Sequence, residues 1–186
     1  MLKKFSATFI ALLSLAACSE GPSTPSPSSA STETPQSATT PVGPTPFERE
    51  VERVQGVLSC RSSKITPASD GWGALYGCIG GQAETVKFFI DEEQGAGSVK
   101  SVKFLWNDWF KDRGYGLHAD AKDADKMAHD LIKLYPSEHD SALLKAFKGK
   151  KNLRKEGGGY RFEYTYDRGP AIDERMIVVT PLPPNP

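Results

Sequence analysis

Residues 160–167 read YRFEYTYD, and aromatic and polar side chains alternate at every position of this stretch. Alternation with a period of two is typical of a β-strand with one covered face and one face in water. Antiparallel sheets commonly have such strands, whereas strands of parallel sheets are apolar on both faces. The stretch therefore predicts an antiparallel sheet that is covered on one side.

Four further segments have strand patterns: 73–80, 84–91, 98–106 and 174–180. The clearest is 84–91, in which Val86, Phe88 and Ile90 fall on one side. Glycine-rich turns separate the first three of these segments, which predicts an antiparallel meander.

Three helices are predicted, over 46–58, over 120–135 and from Ser137 to Gly149. The first begins with a capping box, in which Thr45 is the N-cap and Glu48 the third helical residue. The basic segment 145–155 is expected to be a helix end followed by a loop. The order is α-β-β-β-α-α-β-β. We expect one α+β domain over 46–182 with a five-stranded, mostly antiparallel sheet and its helices packed on one face.

The N-terminus has the pattern of a signal peptide over residues 1–17. Two lysines precede an apolar run that is shorter than the about 20 residues a membrane-spanning helix needs. The following Leu-Ala-Ala-Cys, residues 15–18, resembles the lipobox of bacterial lipoproteins. That resemblance implies cleavage before Cys18 and attachment of diacylglycerol to its sulfur, which would anchor the chain in a membrane. An ordinary secretory signal, leaving Cys18 as a free thiol, stays open.

Residues 18–45 are expected to be a lipid-anchored, disordered linker. Twenty of the 28 residues from Ser19 to Pro46 are Ser, Thr or Pro, a composition that cannot bury enough apolar surface to fold. Residues 183–186 are expected to be a disordered tail.

The chain has three cysteines, an odd number for an exported protein. Assigning Cys18 to the lipid leaves Cys60 and Cys78, which an oxidising compartment would allow to pair. Two reduced, buried thiols are the alternative. No set of four ligands has metal-site spacing, so we predict no metal and no cofactor.

Export predicts a location in the bacterial cell envelope, facing the periplasm. In the best-known sorting rule an Asp after the lipidated cysteine favours the inner membrane. Because Ser19 occupies that position, the outer membrane is slightly favoured. The order of elements resembles the core of bacterial secretion chaperones, but these are cytoplasmic, so the predicted export argues against their function.

The segment 104–120, FLWNDWFKDRGYGLHAD, mixes aromatic, charged and glycine residues where a predicted strand ends. Such loops are common at binding sites, and Trp and Arg are frequent anchors of protein interfaces. Its candidate binding residues are Trp106, Asp108, Trp109, Arg113, Tyr115 and His118. The alternative is that the aromatic residues only cover the edge of the core.

Composition and motifs exclude several functions. The formal net charge is zero, whereas nucleic-acid binders carry a basic excess, so no nucleic-acid partner is expected. Since no HExxH, EF-hand or GxSxG motif is present, we predict no catalytic residue. We expect a non-catalytic binding or accessory module with an envelope protein as partner and a small-molecule ligand left unspecified. A small periplasmic hydrolase with an unrecognised motif and a proteinaceous enzyme inhibitor remain open.

Overall fold

The computed structural model describes residues 43–183. The predicted signal peptide, Cys18, the linker up to residue 42 and the tail from residue 184 lie outside the described residues. The elements in chain order are α1 (Pro46–Gln55), β1 (Ser62–Thr66), β2 (Leu75–Gly80), β3 (Val86–Glu92), β4 (Val99–Trp109), α2 (Ala121–Leu134), α3 (Asp140–Gly149), β5 (Leu153–Gly157), β6 (Tyr160–Arg168) and β7 (Ile172–Pro181). None of the described helices is both long and apolar enough to cross a membrane.

The strands form one antiparallel sheet in the order β1-β2-β3-β4-β7-β6-β5. The α+β class is confirmed, but the prediction of five strands is wrong because the sheet has seven. The two missed strands, β1 and β5, lie at the two edges. All five residues of β1 are exposed, and the middle of β5 is Arg-Lys-Glu, so neither alternates in hydrophobicity. Edge strands join a sheet through backbone pairing, and charged side chains at an edge oppose further pairing.

One row of side chains shows why the inner face of the sheet is buried. Cys78, Phe88, Phe104, Ile177 and Tyr164 are cross-strand neighbours on five successive strands. Each is at most 1% exposed. The alternation predicted for β6 is confirmed, since Phe162 and Tyr164 are buried whereas the intervening Glu163 is half-buried on the other face.

The helices cover this inner face. The capping box of α1 is confirmed: Glu48 N donates to Thr45 Oγ1 at 3.2 Å, and Thr45 N donates to Glu48 Oε2 at 2.7 Å. From α3, the ring of Phe147 lies 5.8 Å from that of Phe104 and 5.9 Å from that of Tyr164, centroid to centroid. Aromatic pairs at this spacing add stabilisation beyond their buried area.

The helix α3 begins later than predicted. Ser137 N and Oγ donate to Asp140 Oδ1 at 2.9 and 3.1 Å, which holds residues 137–140 in a turn that precedes the helix. The Asp140 side chain therefore stabilises the entry to α3, and the helix itself starts at Asp140.

The predicted pairing of Cys60 with Cys78 is confirmed. Their sulfur atoms are bonded, and the closed loop contains all of β1. Cys78 lies on the buried face of β2, whereas Cys60 precedes β1. The disulfide therefore joins the chain leading into the exposed edge strand to the core, a restraint worth about 3 kcal/mol for a loop of this length.

Candidate functional site

The six candidate binding residues of segment 106–118 do not form one surface. Trp106 and Asp108 point to the helix-covered face and are 5% and 0% exposed. Trp109, the next residue, points to the opposite face because side chains alternate along a strand. The loop beyond β4 carries the exposed Arg113, Tyr115 and His118. On the helix-covered side, Asp108 contacts His118. On the opposite side, the ring of Trp109 stacks on that of Tyr115.

Asp108 is the centre of a buried ionic cluster. Its Oδ1 accepts from His118 Nδ1 at 2.6 Å, and its Oδ2 accepts from Arg175 at 2.5 Å. Arg175 also donates to the carbonyl oxygen of Phe147 at 3.1 Å, and its guanidinium lies 4.7 Å from the ring centroid of Trp106. Because the carboxylate has both a cation and a second donor, the desolvation of its charge is largely offset.

A second buried carboxylate belongs to Asp173, which lies two residues before Arg175 on the same face of β7. Burial raises the pKa of Asp173 most strongly, but the hydrogen bond and charge of Lys150, whose Nζ donates at 2.7 Å, together with nearby Tyr166 and Arg168 outweigh burial, so the pKa lies below its ordinary value. Asp173 Oδ1 and Arg175 Nε have no hydrogen-bond partner among the described residues. Asp173 and Arg175 were not among the predicted site residues, although these two charged residues interrupt the apolar alternation of the buried face of β7.

His118 is held against Asp108 by a strained turn. His118 and Asp120 both have left-handed backbone conformations, with φ of 53° and 58°. Trp109 O accepts from His118 N at 2.7 Å, which closes the loop, and Asp120 accepts from the backbone N–H groups of Ala83 and Thr85. Such strain persists only where surrounding contacts over-determine it, and here the contacts set the position of the imidazole.

We call residues 110–117 the tip. Asp112 Oδ1 accepts from Gly114 N at 2.8 Å and from Gly116 N at 3.2 Å. These two backbone hydrogen bonds hold the pKa of Asp112 below its ordinary value. Both glycines have positive φ, 98° and 85°, a conformation that costs glycine little. The tip is therefore an ordered turn.

The tip presents apolar side chains to solvent. Tyr115 is 52% and Leu117 is 62% exposed, and the Tyr115 ring stacks on that of Trp109 with centroids 5.0 Å apart. Ordered aromatic surface of this kind is common at protein interfaces.

Three cations lie on or beside the tip. Arg168 and Lys111 both lie over the ring of Phe110, at 5.0 and 5.8 Å from its centroid. Arg113 is exposed on the tip itself. None of the three makes a salt bridge to another described residue, so their positive charge is available to a partner.

An apolar cavity of about 290 Å³ lies beside α1. Val99, Val102, Val179, Tyr135 and Tyr160 are among its lining residues. Glu50 accepts from the Tyr135 hydroxyl and from Arg53, so its carboxylate is already satisfied. The cavity is at the lower limit of the about 300–1,000 Å³ typical of ligand sites, and most of its lining residues are apolar or aromatic.

Among the described residues, no group of three His, Cys, Asp or Glu side chains is placed to hold a metal ion. Asp108 and His118 supply two donors, and the carboxylate of Asp108 is shared with Arg175. The cluster is therefore organised as an ion-pair network.

Comparisons with known proteins name no relative. No protein-family model matches the chain, and no curated protein or solved structure matches it.

Proposed function

We propose that this chain is a lipoprotein of the bacterial envelope, anchored at Cys18, whose folded part is a non-catalytic binding module facing the periplasm. The observation that carries the proposal is the tip, an ordered loop that exposes Tyr115 and Leu117 and has cations without salt bridges on it and beside its Phe110 ring. Its partner is a protein with an apolar pocket rimmed by acidic side chains.

Two features support anchoring and export. The sequence Leu-Ala-Ala-Cys at 15–18 resembles a lipobox, and one acyl-bearing cysteine with several chains would hold a protein stably on a membrane. The disulfide between Cys60 and Cys78 is typical of oxidising compartments such as the periplasm. Ser19, which follows the lipidated cysteine, slightly favours a location in the outer membrane.

The geometry of the tip supports binding energetically. Complete burial of a side chain such as Leu117 is worth about 1.5–3 kcal/mol. A loop that is ordered before binding loses less conformational entropy when the complex forms. The hydrogen bonds from Gly114 and Gly116 to Asp112 therefore favour affinity by holding the tip in one shape.

Photo-cross-linking in the native cell tests this proposal. A benzophenone amino acid replaces Tyr115 in the full-length chain, and a matched variant carries it at Trp72, which is 75% exposed but outside the tip. We expect a discrete protein adduct from position 115 that is absent from position 72. The same adducts from both positions, or none from position 115, would contradict the proposal.

A small hydrolase is the second candidate, favoured by one observation. Buried Asp108 orients the imidazole of His118, whose side chain is 57% exposed, as a carboxylate orients a general base. No described Ser, Thr or Cys side chain hydrogen-bonds to His118, so water would be the nucleophile. Turnover of simple esters, amides or phosphoesters that His118→Gln abolishes would support this candidate over the binding module.

A further inference from the structure

The face of the sheet opposite the helices has an apolar centre. Its half-buried apolar side chains lie on four adjacent strands and comprise Ile79, Phe89, Leu105, Met176 and Val178. The helix-facing row through Phe104 is completely buried, so these outer side chains belong to a separate surface. A contiguous apolar patch on a sheet face commonly marks an interaction site.

Cross-strand pairing places the residues of this patch in two rows that run across the strands. Leu105 on β4 is the direct neighbour of Lys87 on β3 and of Met176 on β7. Two residues along, Lys103 on β4 is the neighbour of Phe89 on β3 and Val178 on β7. The apolar centre therefore lies over the junction of β4 and β7, in the middle of the sheet.

The charged side chains beside the patch that make no salt bridge among the described residues have opposite signs on its two sides. Lys87 on β3 makes no salt bridge among the described residues, and Lys103 is already paired with Asp91 at 2.8 Å. On the other side, Asp167 of β6 lies directly opposite Glu174 of β7. Neither carboxylate has a salt-bridge partner among the described residues. Like charges in this arrangement are destabilising, so the pair favours an added cation.

We propose that a second copy of this chain packs on this face, with the two-fold axis parallel to the strands and between β4 and β7. This rotation places β4 of each copy over β7 of the other, and β3 over β6. Leu105 then meets the partner's Met176, and Lys87 meets the partner's Thr165, two residues from the partner's Asp167. The contact is isologous, so each favourable pair occurs twice.

The charge pattern selects this axis. A two-fold axis perpendicular to the strands would place β3 over β3 and β6 over β6, which brings like charges together. The parallel axis brings the unpaired lysine of one copy to the unpaired carboxylates of the other. It also keeps the two sets of strands roughly aligned, the common arrangement when two sheets stack about 10 Å apart.

The size of the face predicts a modest affinity. Five strands about 4.8 Å apart and about seven residues long, each rising about 3.3 Å, span a plane of about 550 Å². Accessible surface exceeds this plane, which brings the interface near the about 800 Å² per partner of a standard complex. We therefore expect a dimer whose population depends on protein concentration.

Disulfide trapping in the native membrane tests the dimer. Two differently tagged full-length chains are co-expressed, one carrying Leu105→Cys and the other Met176→Cys. We expect an oxidised product that contains both tags. The control replaces Leu105→Cys with Lys122→Cys, an exposed position on α2. A 105–176 yield no higher than this control, or trapping of a different protein, would overturn the proposal.

Charge reversal provides a second test, whose result does not depend on how well the two introduced cysteines are placed to form a disulfide. Lys87→Glu should lower the trapped yield at least about tenfold, because it places like charges across the interface at two symmetric positions. Adding Asp167→Lys to the same chain should restore the yield. An unchanged yield in Lys87→Glu, or no recovery in the double variant, would contradict the proposed axis.

Discussion

Replacing Arg175 with methionine should lower the free energy of unfolding by more than a typical single substitution does. The change removes the guanidinium that lies 2.5 Å from the buried carboxylate of Asp108 and the donor to the Phe147 carbonyl. Asp108 is 0% exposed and would keep His118 as its remaining partner. Removing one partner of a buried ion pair costs about 3–5 kcal/mol. For a domain of this size, that corresponds to a fall in Tm of about 10–15 °C.

A matched double variant separates the charge from the packing. Asp108→Leu with Arg175→Met removes both charges and leaves apolar side chains of similar volume. Buried pairs replaced in this way often show nearly unchanged or increased stability. The double variant should therefore be more stable than Arg175→Met alone, by about 2 kcal/mol or more.

Urea unfolding and thermal melting, followed by circular dichroism, measure both variants. Arg113→Met serves as the control, because Arg113 is exposed and makes no salt bridge among the described residues. A loss below about 1 kcal/mol in Arg175→Met would refute the reasoning, since surface changes are of that size. So would a double variant that is no more stable than Arg175→Met alone.

Three further outcomes are expected. Replacing Cys60 and Cys78 with alanine should lower the free energy of unfolding by about 3 kcal/mol, and added reductant should then leave the melting temperature unchanged. Phe104→Ala should cost about 3–5 kcal/mol in urea unfolding, and Phe89→Ala on the outer face clearly less. Burial raises the pKa of Asp120, but backbone hydrogen bonds hold it below its ordinary value. Stability should therefore fall as the pH drops below about 4, and Asp120→Asn should flatten this fall in acid titrations of stability.

The central strands could be predicted because the alternation of apolar and polar residues within each strand shows which face is buried. Val86, Phe88 and Ile90 are each 0% exposed, as their alternation predicts. The edge strands β1 and β5 could not be predicted in this way. Their place in the sheet depends on backbone pairing with β2 and β6, which leaves no pattern in SSKIT or LRKEG.

The candidate site was predictable only in its local part. The aromatic loop after β4 indicated an exposed surface, and Tyr115 lies there. The partner of Asp108 was not predictable, because Arg175 is 67 residues away and reaches it only through the pairing of β4 with β7. Local sequence patterns indicate which residues are buried. Predicting an ion pair between residues on different strands also requires knowing which strands are neighbours in the sheet.

The most direct test of the binding-module account is quantitative co-purification from native membranes. Full-length Tyr115→Ser/Leu117→Ser is compared with Ile65→Ser/Trp72→Ser, which removes two exposed apolar side chains outside the tip. The account predicts that the tip variant loses at least about 90% of the partner recovered with the native chain, while the control variant retains it. Equal recovery with both variants would contradict the account.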